Sequence, residues 1–256
     1  MTAGFRPPCF AQASLPEPIQ YPPPPMEGLI HWYDARRSVW SDNGVTPAVN
    51  GNPVYRWDSQ VGTGWNATQT TLAKRPLYVQ NWLNGQPALS FDGAIQYLSG
   101  SKNLIGHGGT RLVVTQPINQ DKGQFFWSGQ NLGGAGSTLS LVAADAQGYA
   151  DRKLGWYETT TGWARMLVRT TLPQSIQWDF KTNLTCDIWR NGVLGGNKVY
   201  VDGEQKGLFA IGNRHSGDTY PFRGHIAQVL RWDHVLDTNE RTLLNAWVTK
   251  LYGVLA

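Results

Sequence analysis

Residues Asn197–Gly207 read NKVYVDGEQKG, and residues Leu89–Leu98 read LSFDGAIQYL. Each sets an Asp-Gly pair, Asp202-Gly203 or Asp92-Gly93, between runs in which apolar residues alternate with others. Such carboxylates are either reactive or metal-binding groups, or they are the bends that a β-sheet needs. The flanks decide for bends. KVYV and EQKGLFAI around Asp202-Gly203 predict a two-residue turn with both φ angles positive, the geometry that strand twist favours. Asp and Gly tolerate that backbone better than most residues. Asp92-Gly93 ends a strand in the same manner.

Outward from these turns the same punctuation continues. GLIHWYDA, NPVYRWDS, QPALSFDG, TRLVVTQ, GQFFWSG, STLSLVAA, KLGWYETT, ARMLVRTT, LTCDIWRN, GLFAIGN and FRGHIAQVLRWD all read as short strands between turn signals. About a dozen strands with little helix between them predict one all-β domain, an antiparallel sandwich of two sheets. One helix is expected near the end, in LDTNERTLLNAWVTKLYG. Asp237 and Glu240 form a capping-box variant. Leu243, Leu244, Trp247, Val248 and Leu251 fall on one helical face, and Gly253 supplies the stop.

Composition agrees. The 256 residues hold 29 glycines, 15 prolines and 12 tryptophans but only five glutamates, a balance that favours strands and turns. The net charge is +4, and the basic residues are scattered, which argues against a nucleic-acid face. No stretch has the length and apolarity of a membrane span, and the N-terminus lacks the apolar core of a signal peptide.

Residues 1–28 form a separate unit in this reading. RPPCFAQASLPEPIQYPPPP carries eight of the prolines and no hydrophobic periodicity. It should run as extended polyproline-type backbone and cannot bury enough apolar area to order itself. The surfaces that would order it are its own domain, residues 29–256, or neighbouring subunits. Arg6, Pro7, Pro8, Phe10, Tyr21, Pro22 and Pro23 are the candidate contacts of such an assembly arm. Of the two cysteines, Cys9 lies in the arm and Cys186 in a strand. They are either two free thiols, with Cys186 buried, or a bond tying arm to body.

LIHWYDARRSVW, YRWDSQVGTGWNATQ, RPLYV, LNGQPALSFDG, VYVDGEQKG, LFAIGNR and FRGHIAQVLRWDHVLDTNERTLLNAWVTKLYG together resemble the concanavalin A-like lectin/glucanase superfamily, in its laminin G-like jelly-roll branch. The resemblance spans roughly residues 29–253 and implies a jelly-roll sandwich. It does not choose a function, because this fold hosts lectins, hydrolases, adhesion modules and particle-building proteins.

The hydrolases of that superfamily carry acidic residues alternately on one strand, as Glu-x-Asp-x-x-Glu, aimed at one face. Here Glu17 and Glu27 are in the leader, Glu158 stands alone and Glu240 starts the helix. Only Glu204 has an Asp two residues away, Asp202, across the expected turn. No catalytic residue is assigned, and the chain is expected not to be an enzyme. The five histidines make no metal triplet. Asp42 in WSDNG and Asp218 in SGDTY could each contribute to a calcium site or simply close a polar turn, so no metal ligand or cofactor is assigned.

Aromatic residues beside turns are the candidates for binding sugar rings. They are Trp65 in GTGWNATQ, and Trp156, Tyr157 and Trp163 in LGWYETTTGWARM, which reads as a hairpin with a threonine-rich tip. Packing against a sheet or a neighbouring subunit is the competing role. Trp32, Trp57, Trp189, Trp232 and Trp247 read as core. A surface-protein fold without an export signal, a Pro-rich arm and no catalytic constellation point first to a multi-copy component of a bacteriophage-type virion. That means capsid decoration or a minor tail protein on the virion surface, held to other virion proteins by residues 1–28. A carbohydrate-binding adhesin acting on a host-surface glycan is the alternative, and a glycan hydrolase the third reading.

Overall fold

In a computed structural model, the structure describes residues 24–62, 64–104, 108–118, 124–129, 140–144, 153–158, 162–168, 170–199, 207–213 and 221–253. The first strands are β1 (Leu29–Asp34), β2 (Val39–Trp40), β3 (Arg56–Asp58), β4 (Asn66–Thr68), β5 (Leu77–Leu83) and β6 (Gln86–Asp92). There follow β7 (Leu98–Leu104), β8 (Gly109–Pro117), β9 (Gln124–Gly129), β10 (Ser140–Ala144), β11 (Lys153–Glu158) and β12 (Gly162–Val168). The last are β13 (Gln174–Phe180), β14 (Thr185–Arg190), β15 (Val193–Val199), β16 (Gly207–Ile211) and β17 (Arg223–Trp232), before helix α1 (Thr238–Tyr252).

These strands form the two antiparallel sheets expected. One is eight-stranded, ordered β15-β14-β13-β8-β17-β6-β5, with β1 added on β17; the other is nine-stranded, ordered β12-β11-β10-β9-β16-β7-β4-β3-β2. Between them lies a core that includes Tyr33, Trp57, Ala67, Phe91, Leu98, Trp178, Phe209, Ile211 and Val229. A second core fills the far face of the eight-stranded sheet, where Trp32, Leu112, Leu230 and Trp232 meet Leu244, Trp247, Val248, Leu251 and Tyr252 of α1. Strand β17 is therefore covered on both sides. That explains why its run HIAQVLRW lacks the polar half of an amphipathic strand.

Helix α1 is capped as the sequence indicates. The Asp237 carboxylate accepts from the Glu240 amide, the Glu240 carboxylate accepts from the Asp237 amide, and Gly253 ends the helix at φ 64°. The buried stripe is rotated from the expected one: Leu243 is 63% exposed, while Tyr252 is buried in its stead. Trp189 is half-buried rather than core, lying under the Arg241 guanidinium at 4.3 Å.

The Asp-Gly turns need correction. Strand β15 pairs with β14 in one sheet, and β16 with β7 and β9 in the other. The chain between them passes from sheet to sheet, so β15 and β16 do not form the expected hairpin. Asp202-Gly203 itself lies outside the described residues. Asp92-Gly93 also precedes a change of sheet, since β6 and β7 belong to different sheets. There the Asp92 carboxylate accepts from the Ala94 amide at 2.8 Å and Gly93 takes φ 76°. Among the described residues, the two-residue hairpins with both φ angles positive are Asn-Gly pairs. Asn84-Gly85 (φ 50° and 73°) joins β5 to β6, and Asn191-Gly192 (φ 48° and 75°) joins β14 to β15.

The end of the leader that is described is docked. Pro24 is buried, and the Pro25 carbonyl accepts a 2.9 Å hydrogen bond from the Trp232 indole. Gly28, at φ 61°, lets the backbone pass so close to Asp233 and His234 that a Cβ there would fall 2.3 Å from the Asp233 carboxylate. The His234 imidazole bridges Asp233 and Glu240, 3.0 Å from each carboxylate. Partial burial alone would lower its pKa, but the hydrogen bonds and charges of Asp233 and Glu240 prevail and raise it above the ordinary 6.5. A raised folded-state pKa stabilises the protein fully below the unfolded value and ceases to as pH rises through the folded value. His234→Gln should therefore lower the melting temperature more at about pH 5.5 than at about pH 8.5. Equal losses at both pH values would show that this bridge does not titrate in that window.

Candidate functional site

Strand register turns the aromatic hairpin into two separate sets. Tyr157 pairs with Trp163, and Trp156 with Ala164. Followed inward across the sheet, Trp156 continues to Leu141, Trp127, Ile211 and Leu98. Leu98 and Ile211 belong to the inter-sheet core, so Trp156 sits in a core-side row. Tyr157 continues instead to Ser140, Ser128, Ala210 and Ser99. Positions directly opposite one another share a face and successive positions alternate, so Tyr157 and Trp163 belong to the outer face of the nine-stranded sheet.

That outer row runs on through Thr68 and Arg56 to Trp40 on the last strand. It ends in an aromatic residue at both sheet edges, about 38 Å apart at about 4.8 Å per strand. Its middle is closed, because Ala210 is fully buried. The two ends are therefore separate stations rather than one open trough. At the Trp40 station the indole N–H donates to Asp58 Oδ2 at 2.9 Å, and Arg56 Nε donates to Asp58 Oδ1 at 2.6 Å. Trp40 is half-exposed, and its bond to Asp58 orients the ring. Sequence reasoning missed Trp40. The signal available was its alternation with Val39, a core residue.

Trp65 is placed differently. It is half-buried, with its ring 4.2 Å from His31 and 6.4 Å from Phe209, against the inter-sheet core. Burial, followed by the charges of Arg231 and Arg111, lowers the His31 pKa to about 3 and keeps it neutral. Of the four candidates from sequence, the register brings together only Tyr157 and Trp163.

Of the acidic candidates, Asp42 closes its own turn. The Asp42 carboxylate accepts from the Val45 amide and from the Thr46 amide and hydroxyl. The Thr46 hydroxyl chiefly, with these amides, pulls its pKa down to about 2. Glu158 is the last residue of β11, opposite Gly162. Asp202, Glu204 and Asp218 lie outside the described residues, as do Cys9 and the arm positions Arg6, Pro7, Pro8, Phe10, Tyr21, Pro22 and Pro23. Cys186 is a buried free thiol whose pKa burial pushes up. Among the described residues no three His, Cys, Asp or Glu side chains group closely enough to hold a metal, and no helix is long and apolar enough to cross a membrane.

No family model matches the chain, and no curated protein matches it. Solved structures do. Domain 4 of a GH43 extracellular arabinanase from Geobacillus stearothermophilus, in complex with arabinotriose, aligns with a TM-score of 0.53 and 18% identity, over 85% of this chain and 98% of that domain. A Trypanosoma rangeli sialidase in complex with sialic acid aligns with a TM-score of 0.56 and 14% identity over 88% of this chain. The chain spans about a third of the sialidase's length, 33%. At these identities the likeness is one of fold. The fold is a jelly-roll sandwich of two antiparallel sheets, shared with these two structures.

Proposed function

We propose that this chain is a non-catalytic carbohydrate-binding module that uses the outer face of its nine-stranded sheet. The observation that carries the proposal is the outer row, which gathers Tyr157 and Trp163 at one edge and sets Trp40, oriented by Asp58, at the other. A sugar ring offers a C–H face to an aromatic plane and hydroxyls to flanking polar groups, and Trp and Tyr serve both needs. The arabinotriose complex of the similar arabinanase domain lends support. A glycan array with the full chain tests the reading. Selective retention of one glycan class is expected, and retention no greater than that of an unrelated β-sandwich on every glycan would end it.

The finer assignment, a laminin G-like component of a bacteriophage-type virion, is supported by the Pro-rich leader and its docked root at Pro24 and Pro25. In this reading residues 1–28 strap the module to capsid or tail proteins in many copies, and the sheet faces outward toward a host-surface glycan. Extended arms bury much surface per residue, with their ordering cost falling due on assembly. Deleting residues 1–23 leaves that root intact and should abolish incorporation into particles. Normal occupancy by the truncated chain would rule the strap out.

A further inference from the structure

The eight-stranded sheet carries a second aromatic cluster on the face it shares with α1, at the end of the helix where Leu251 and Tyr252 lie. The half-exposed Trp82 on β5 is held by a 3.0 Å hydrogen bond from its indole N–H to Gln116 Oε1 on β8. Gln116 is fixed in turn by donating to the Thr171 carbonyl at 3.2 Å. One side of Trp82 packs toward Tyr252, with centroids 6.0 Å apart, and the His225 ring lies 5.8 Å away. His225 pairs with Gln116 on one side and Ser90 on the other, so the three positions form one rung of the sheet.

His225 is what packing does not explain. Its Nδ1 is buried without a hydrogen-bond partner, while the residue as a whole is only half-buried. Burial lowers its pKa, so the imidazole is neutral near pH 7. A neutral ring carries one N–H and one lone pair. Placing the proton on Nε2 leaves only a lone pair orphaned in the interior and makes Nε2 a donor toward the surface. The next rung on this face pairs Arg223 with Asp92, charges of opposite sign, and the rung itself carries none. An oriented indole, a neutral donor and a serine hydroxyl without formal charge suit an uncharged polyhydroxy ring. They offer no match for a phosphate, a carboxylate-rich polymer or a nucleic acid, each of which calls for Lys or Arg.

We infer that Trp82, His225 and Ser90 form a second subsite for one neutral sugar ring, which stacks on Trp82 and accepts a hydrogen bond from His225 Nε2. The inference rests on the carbohydrate-binding reading and extends it: the module would hold glycan on both sheets. Two weak sites on opposite faces raise avidity for a dense or branched glycan without raising affinity for a single short chain.

Nuclear magnetic resonance on the full chain tests this, with arabinotriose, lactose and cellobiose as probes. At least one probe should shift the Trp82 and His225 ring resonances, assigned from the spectra of Trp82→Phe and His225→Phe. His225→Phe keeps a packed aromatic ring and should weaken binding at this subsite by about tenfold, equivalent to about 1.4 kcal/mol, while Trp163→Ala leaves these shifts unchanged. Shifts confined to the nine-stranded sheet would overturn the second subsite and leave the module reading intact. No shift from any probe, together with a blank glycan array, would overturn both.

Discussion

Asp179→Ala should lower the free energy of unfolding by about 3–5 kcal/mol, the usual cost of stranding one member of a buried ion pair. Asp179 is fully buried on β13. Its Oδ1 accepts from the Thr110 hydroxyl of β8 and from Gln177 Nε2, each at 2.7 Å, and its Oδ2 accepts from Arg241 of α1 at 3.0 Å. The Arg241 guanidinium also donates to the Leu236 carbonyl at 2.8 Å, and the Thr110 hydroxyl accepts from the Leu236 amide at 3.0 Å. One carboxylate thus joins two strands and the loop entering α1. Urea unfolding measures the loss. The double variant Asp179→Leu/Arg241→Met removes both charges and should recover most of it, because apolar replacement of a whole buried pair is often neutral. A loss below about 1 kcal/mol for Asp179→Ala would mean that water reaches Arg241 and takes the place of the carboxylate.

The second large effect is on binding. Trp163→Ala should weaken affinity for the glycan selected on an array by about tenfold or more, since loss of a stacking aromatic removes both buried area and ring contact. The melting temperature should barely change, because Trp163 sits on β12, an edge strand of the nine-stranded sheet, in its outer row. Trp156→Ala should do the reverse. Its row runs through Leu98 and Ile211 of the core, and a large-to-small change in a core-side row lowers stability. The two variants lie on one hairpin and separate binding from packing.

Much of the sandwich was legible because strands β1, β6, β8 and β17 carry runs of apolar residues bounded by turns. The capped helix was legible because Asp237, Glu240 and Gly253 act locally. Strand β7, LSGSKNL, was not. It is polar and lacks β-branched residues, and it is a strand because the sheet needs small residues there: a Cβ on Gly100 would lie 1.9 Å from the Phe209 ring. Strand β13, QSIQWDF, alternates well yet is not among the expected strands. Both of its faces are buried, Ile176, Trp178 and Phe180 toward the other sheet and Gln177 and Asp179 on the opposite face. Asp92-Gly93 marks a turn but not the pairing, because a turn signal does not say whether the next strand stays in the same sheet. For the site, sequence gave aromatic residues beside turns. Alternation along one strand already splits Trp156 from Tyr157, but only register across strands could join Tyr157 to Trp163 and bring Trp40 onto their face.

The most direct test of the account is a calorimetric titration of the array-selected glycan into the wild-type chain, Trp163→Ala and Tyr157→Ala. The outer-row assignment predicts measurable binding by the wild type and a loss of about tenfold or more in each variant, with melting temperatures preserved. Undiminished affinity in both variants would place the sugar elsewhere and contradict it.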